Sequence, residues 1–263
     1  MSRFDLRADG AVALITGGAS GIGKGVAEVF GEAGWRLALA DVDVEAGERT
    51  AAELRSRGYE AELLPCDVAD ESQVAATVQA AAERWQRLDF LLNNAGILGR
   101  PAPVEDLEPA DLDGILSVDL KSVFYTCKHA IPRMRAGGGG SILNVTSMTA
   151  ETGSAYYTAY GAAKAGVVAL TRGLARQIGR FNIRINCLSP GSIAGTGLMQ
   201  EHYDRQPEAR ARERLGLLQK IPLGRLGTPR DVALLALFLA SPLAAHVHGA
   251  VLTLDGGESL GLQ

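Results

Sequence analysis

Tyr160 and Lys164 stand four residues apart, so a helix through them sets both side chains on one face. That spacing suits proton transfer. A free phenol titrates near pH ~10, too high for an efficient base around neutrality, and an adjacent ammonium favours the phenolate. A second set of residues suits an anion. Thr16-Gly17-Gly18-Ala19-Ser20-Gly21-Ile22-Gly23 closes the apolar run Ala11–Thr16 and leads into a helical pattern. Glycines there let the chain turn sharply and let a pyrophosphate approach the backbone. The helix start adds unpaired N–H groups and the positive end of its dipole. Asp41 ends the second apolar run, where a carboxylate accepts hydrogen bonds from ribose hydroxyls and repels a 2′-phosphate. Val42, Asp43, Val44 and Glu45 follow it, with no basic residue among them. The residues therefore point to NAD rather than NADP. The alternative for Asp41 is a turn cap.

These motifs, with Asn93-Asn94-Ala95-Gly96, Ser147, Tyr160-Gly161-Ala162-Ala163-Lys164, Asn186-Cys187-Leu188-Ser189-Pro190-Gly191 and Leu254-Asp255-Gly256-Gly257, resemble the short-chain dehydrogenase/reductase family over nearly the whole chain. The resemblance implies hydride transfer between NAD(H) and a secondary alcohol or ketone. It casts Tyr160 as general acid and base, Ser147 as the group that hydrogen-bonds the substrate oxygen, and Lys164 as a holder of the nicotinamide ribose. It further implies that Asp67 and Val68 flank the adenine, that Asn94 fixes the strand beside the cofactor, and that Ile193 meets the carboxamide. Gly17, Ser20, Gly21, Ile22 and Gly23 become the pyrophosphate loop.

Two positions depart from the family pattern. Asp119, in Val118-Asp119-Leu120, stands where the family has an Asn thought to hold a proton-relay water. Its charge would favour a protonated Lys164; alternatively the relay is weakened or the carboxyl is itself protonated. The expectation is that Asp119 still supports the relay. Gly195 stands where a Thr is usual and Thr196 follows, leaving open which of them reaches the cofactor.

The elements that must position these groups alternate along the chain. Strands are expected at Ala11–Thr16, Trp35–Ala40, Tyr59–Pro65, Leu88–Leu92, Ser141–Val145, Ile183–Leu188 and Ala250–Leu254. Helices are expected from Gly21 to Ala33, Glu45 to Arg57, Glu71 to Arg87, Glu108 to Arg135, Ser154 to Arg180 and Arg230 to Ala240. This is the pattern of one α/β domain over 1–263, a Rossmann-type doubly wound parallel sheet of about seven strands with helices on both faces. A substrate loop is expected at about 196–225. Its apolar residues, Leu198, Met199, Tyr203, Leu215, Leu217, Leu218 and Ile221, suit either a partly apolar alcohol or ketone or ordinary loop packing. Arg205, Arg210, Arg212 and Arg214 suit a phosphate on acyl carrier protein or coenzyme A, although Glu201, Glu208 and Glu213 favour a solvated, ion-paired helix. Reduction of a 3-oxoacyl thioester is thus the alternative activity, and a nucleotide-sensing protein without turnover a further one.

Composition narrows the classes. The 263 residues are 47% hydrophobic and 21% charged, a globular mix. A net charge of −4 without basic blocks argues against nucleic acid. Widely spaced Cys66, Cys127 and Cys187 are expected to be buried thiols in a reducing cytoplasm. The polar start Met1–Gly10 does not read as a secretory signal, and no run is long enough to span a membrane. His246 and His248 lack a nearby third ligand, so no metal is expected. The 32 glycines exceed the usual share, and several fall in the loops named above. The helix carrying Tyr160 is small or apolar nearly all round, which is expected to bury it between the sheet and a partner in a homodimer or homotetramer.

Overall fold

Each expected strand forms, within one or two residues. The computed structural model describes residues 6, 8, 10–197, 216 and 218–261. Its strands are β1 Val12–Thr16, β2 Arg36–Asp41, β3 Ala61–Pro65, β4 Phe90–Asn93, β5 Gly140–Val145, β6 Ile183–Pro190 and β7 Val251–Leu254. They make one seven-stranded parallel sheet in the order β3-β2-β1-β4-β5-β6-β7. β1 is buried at every position, as a strand covered on both faces should be. Between β1 and β4 the strand order reverses, and a crevice opens outside the carboxyl ends of the strands at such a point.

The helices are α1 Gly21–Glu32, α2 Val44–Ser56, α3 Glu71–Trp85, α4 Pro109–Leu116, α5 Ser122–Ala136, α6 Thr149–Thr152, α7 Thr158–Ile178 and α8 Pro229–Ala240. One face of the sheet packs on α1, α2 and α8 through Val26, Phe30, Leu54, Val232 and Leu237. The other packs on α3, α5 and α7 through Val74, Val78, Val123, Met134 and Val167.

Two expected helices are broken. The segment from Glu108 to Arg135 is interrupted by a π-helical turn at Ser117–Lys121, between α4 and α5. The extra residue in that turn carries Asp119 to the interior; such bulges occur where a side chain must be re-aimed. The second expected helix, Ser154 to Arg180, starts only at Thr158. Gly153, with φ +74°, ends the short α6 and leads into a non-helical link before α7. The outer face of α7 is exposed within the single chain, at Ala162, Ala165 and Ala169.

A buried polar network fixes α7 against the sheet. Thr126 Oγ1 donates to Asn93 Oδ1 at 2.7 Å, Asn93 Nδ2 to Asn144 Oδ1 at 2.8 Å, and Asn144 Nδ2 to Thr171 Oγ1 at 2.8 Å. Thr171 passes its own proton to Val167 O at 2.8 Å, and Thr146 Oγ1 donates to Lys164 O at 3.0 Å. Because each of these groups sits in the core, the geometry that satisfies all of them sets the rotation and height of α7. Cys66, Cys127 and Cys187 are buried free thiols, and burial pushes Cys127 up to about 12. His248 is committed to packing: Nδ1 accepts from Ile185 N–H at 3.2 Å, which leaves Nε2 to donate to Ala175 O at 2.8 Å. Among the described residues no helix is long and apolar enough to cross a membrane.

Replacing Asn144 by Ala strands the Asn93 amide and removes the bond to Thr171. The expected cost is about 2–4 kcal/mol of stability, a fall in melting temperature of roughly 4–12 °C. Thermal unfolding by circular dichroism measures it; an unchanged midpoint contradicts a structural role for the network.

Candidate functional site

The chain leaves β1 in a tight loop and enters α1 with its end open. Gly17 and Gly21 have φ of +64° and +53°, the left-handed region. A Cβ at Gly23 would lie 2.0 Å from Gly17 O, so only glycine lets α1 start this close to the strand. Ser20 occupies the N-cap position without a side-chain cap, which leaves the first N–H groups of α1 available to an acceptor. Asn94 fastens the loop from β4: its Nδ2 donates to Thr16 O at 3.0 Å and Gly17 O at 3.2 Å. Thr16 Oγ1 accepts from Asn94 N–H at 2.9 Å.

Asp41 caps a turn and is tied to the glycine loop. Its Oδ1 accepts from Asp43 N–H at 3.0 Å, a turn cap, and its Oδ2 from Ala19 N–H at 2.9 Å, across to the glycine loop. It also lines the cleft, and a carboxylate that accepts two bonds retains lone pairs for ribose hydroxyls. The cleft, about 950 Å³, runs over the ends of the strands past Gly17, Ser20, Gly21 and Ile22, with Asp41, Asp67 and Val68 toward β2 and β3. Toward β5 and β6 it is lined by Ser147, Tyr160, Lys164 and Ile193, with Asn94 between. An uncapped helix start, a cradle that any Cβ would fill and an elongated cleft with a carboxylate at one end fit a dinucleotide.

Of the expected residues, Gly23 and Asp119 lie outside the cleft lining. Gly23 acts through the loop's close packing. Asp119 is fully buried behind Lys164: its Oδ1 lies 2.9 Å from Lys164 Nζ and its Oδ2 accepts from Ile97 N–H at 3.1 Å. A Cβ at Gly96 would meet Asp119 Oδ1 at 2.6 Å and Lys164 Nζ at 3.2 Å, so the pair closes only over a glycine. Lys164 Nζ also reaches Val145 O at 3.4 Å and lies 5.5 Å from the centre of the Tyr160 ring.

This arrangement changes the expected electrostatics of Tyr160. Burial pushes Asp119 up while Lys164 opposes it; burial alone would lower Lys164, but Asp119 and Tyr160 together hold it above its ordinary value. The Tyr160 phenol is raised, not lowered. Burial is the main cause, Asp119 adds to it, and Lys164 and the Ser147 hydroxyl act against it.

Two contributors, Thr149 and Val42, escape the sequence reading. Thr149 directs both its N–H, at 3.2 Å, and its Oγ1, at 3.0 Å, onto Ser147 Oγ. Ser147 then accepts twice and keeps its own proton to donate into the cleft. Its signal was only a hydroxyl two residues beyond Ser147. Val42 lines the Asp41 end of the cleft and is largely exposed, as an apolar surface for a flat ring would be. Of the two positions left open after Ile193, Thr196 lines the cleft and Gly195 does not. Of the expected substrate loop, 198–215 and 217 lie outside the described residues, including Leu198, Met199, Tyr203 and the four arginines. Leu218 is half-buried and Ile221 buried.

Comparison with known proteins agrees with this fold. A family sequence profile described as enoyl-(acyl carrier protein) reductase matches residues 17–259. D-threitol dehydrogenase of Mycolicibacterium smegmatis is 38% identical over 98% of this chain and 96% of its own. The crystal structure of levodione reductase superposes with a TM-score of 0.92 at 35% identity, covering 99% of this chain and 100% of that one. A 7α-hydroxysteroid dehydrogenase complexed with NADH and 7-oxo glycochenodeoxycholic acid superposes with a TM-score of 0.88 at 36% identity, covering 98% and 97%.

Substituting Asn for Asp119 leaves the Lys164 charge uncancelled beside the phenol. Tyr160 is then expected to titrate at lower pH than in wild type. The difference in phenolate absorbance between D119N and D119N/Y160F, compared with that between wild type and Y160F, isolates this tyrosine. Superimposable titrations refute the electrostatic link.

Proposed function

This chain belongs to the short-chain dehydrogenase/reductase family of oxidoreductases acting on CH–OH groups, and from that premise we propose that it is an NAD-dependent dehydrogenase of a secondary alcohol with Tyr160 as general acid and base. One observation carries the reading: a single cleft joins the glycine loop and Asp41 to Ser147, Tyr160 and Lys164. The backbone of Gly17, Ser20, Gly21 and Ile22 would hold the pyrophosphate, and Asp41 the adenosine ribose. Asp67 and Val68 would flank the adenine, with Asn94 and Ile193 framing the nicotinamide half. The Asp41 carboxylate, with no cation beside it in the sequence, supports NAD over NADP.

When bound, the nicotinamide ring supplies the hydride acceptor in oxidation and the donor in reduction. The chain's own groups manage the proton. Ser147, its oxygen occupied by Thr149, donates to the substrate oxygen and orients it toward Tyr160. In oxidation the Tyr160 phenolate takes the hydroxyl proton as the C–H bond breaks; in reduction the phenol returns it. Lys164 has three N–H groups. The Asp119 carboxylate pairs with its charge at 2.9 Å and Val145 O accepts one N–H at 3.4 Å, so N–H capacity remains for a ribose hydroxyl at the cleft wall. Asp119 thereby supports the proton path by holding Lys164 in place. Since the phenol is the form present below its raised pKa, reduction is served at neutral pH and oxidation gains as pH rises.

The mainly apolar cleft wall suits an alcohol or ketone with apolar surface, and the names of the threitol, levodione and hydroxysteroid relatives span polyols to steroids. Reduction of a 3-oxoacyl thioester is the second reading, favoured by a relative named 3-oxoacyl-[acyl-carrier-protein] reductase that is 36% identical over 97% of this chain. The exposed alanines of α7 and the half-exposed Phe124 of α5 support assembly into a homodimer or homotetramer.

A panel of secondary alcohols, polyols and hydroxysteroids with NAD at alkaline pH should yield NADH. NADP should be at least about tenfold poorer in kcat/KM, given a 2′-phosphate set against a carboxylate. Preferential turnover of acetoacetyl-CoA with NADPH points to the second reading instead. Tyr160→Phe should lower turnover by about a thousandfold while NADH binding holds within twofold; retained turnover removes Tyr160 from the proton path.

A further inference from the structure

The loop that leaves β6, Gly191–Thr196, forms one wall of the cleft with Gly191, Ser192, Ile193 and Thr196. Its own sequence does little to hold it there. Most of its attachments come from elsewhere. Gly191 N–H donates to Leu254 O at 3.0 Å, Gly227 N–H to Ser192 O at 3.0 Å and Ala194 N–H to Gly227 O at 2.9 Å. Among the described residues, the Glu258 side chain grips the loop from outside it. Its Oε2 accepts from Ser192 N–H at 2.8 Å and its Oε1 from Ser192 Oγ at 2.9 Å, so both carboxylate oxygens are spent on one residue.

The turn after β7 is built to present that carboxylate. Asp255 Oδ1 accepts from Gly257 N–H and Oδ2 from Ser259 N–H, both at 2.8 Å, which curls the chain back toward β6. Gly257 has φ +90° and a Cβ there would stand 2.8 Å from Pro222 Cγ, so the turn fits only without a side chain. From the other side, a Cβ at Gly191 would meet Glu258 Oε2 at 2.6 Å. The carboxylate therefore lies directly over the Gly191 backbone. Glu258 itself does not line the cleft. It reaches a bound molecule only through Ser192 and its neighbours.

We propose that Glu258 is a positioning residue: its two-oxygen clamp on Ser192 sets the cleft wall that carries Ile193, and so the seat of the nicotinamide half of the cofactor. This rests on the reading that the cleft takes a nicotinamide dinucleotide. Reactions of this kind tolerate little misplacement, since an error of about 1 Å costs up to a hundredfold. Alanine at 258 leaves the Ser192 N–H and hydroxyl without their acceptor and lets the wall relax. Glutamine has one acceptor oxygen for the N–H, and its amide N–H can donate to Ser192 Oγ, which accepts as a hydroxyl. The two variants thus separate the clamp from the charge.

NADH binding, followed by energy transfer from tryptophan to the reduced nicotinamide, is the primary readout, with KM for NAD and kcat beside it. Glu258→Ala should weaken NADH binding about tenfold, with adenosine monophosphate, which lacks the nicotinamide half, bound as in wild type. Glu258→Gln should restore NADH binding to within about twofold of wild type. Equal NADH affinity in wild type and E258A overturns the proposal, as does a matching loss for adenosine monophosphate, which marks general destabilisation. Should E258A fail to fold, Glu258→Asp, whose shorter side chain cannot span both Ser192 donors, takes its place with the same criteria. Wild-type protein that binds no NADH rejects the cofactor reading itself, a result distinct from binding that is insensitive to Glu258.

Discussion

A lysine ammonium with 3% of its surface exposed needs an acceptor within reach, because removing an unpaired charge from water costs several kcal/mol. Lys164 finds that acceptor in Asp119, and much of the site follows from the pairing. Asp119 must be as buried as its partner, which the π-helical turn Ser117–Lys121 achieves by aiming it inward. The approach leaves no room for a side chain at Gly96, and the remaining carboxylate oxygen is met by Ile97 N–H. The exit of β4 is thereby stitched to the helix that carries Tyr160.

The pairing also decides which form of Tyr160 the site favours. A lone ammonium beside a buried phenol pulls its titration down. An ammonium already neutralised by a carboxylate does so weakly, and burial then prevails. The same three groups with a different residue at 119 would make a stronger base. The titration of Tyr160 thus depends in part on a residue that does not line the cleft.

Around that centre the fold works by division of labour. The sheet order places the glycine loop and Asp41 on one side of the β1–β4 switch and Ser147, Tyr160 and Lys164 on the other, so one elongated crevice spans both. The Asn93–Asn144–Thr171 network holds α7 at the correct height. Thr149 fixes which way the Ser147 proton points. Beyond β7, a short turn returns to grip the opposite wall of the cleft.

Much of this was legible in the residue pattern. Three of the strand runs close on a glycine or an acid, at Gly17, Asp41 and Asp255, and β1, buried at every position, has no polar alternation to blur it. The glycine loop was legible because its demands are local: a sharp turn and a close approach need residues without Cβ. The segment from Glu108 to Arg135 reads as one unbroken helix because periodicity cannot register a π turn, which keeps the same residues and merely rotates them. The start of α7 was read too early for a similar reason, as Ser154–Tyr157 satisfies the helical pattern while Gly153 takes the backbone elsewhere.

What the sequence by itself determined, then, was the set of chemical groups, their order along the chain and the sheet that brings them to one edge, since these rest on short-range patterning. Tertiary structure alone decided how those groups act on one another. The cancellation of Lys164 by Asp119, the double donation of Thr149 to Ser147 and the reach of Glu258 across to Ser192 depend on distances of about three ångströms. Asp119 and Glu258 reach partners remote in sequence, Lys164 and Ser192, and no local pattern encodes such separations. Electrostatics and hydrogen bonding fall away steeply with distance and misalignment, so function at this site hangs on contacts that only the folded chain creates.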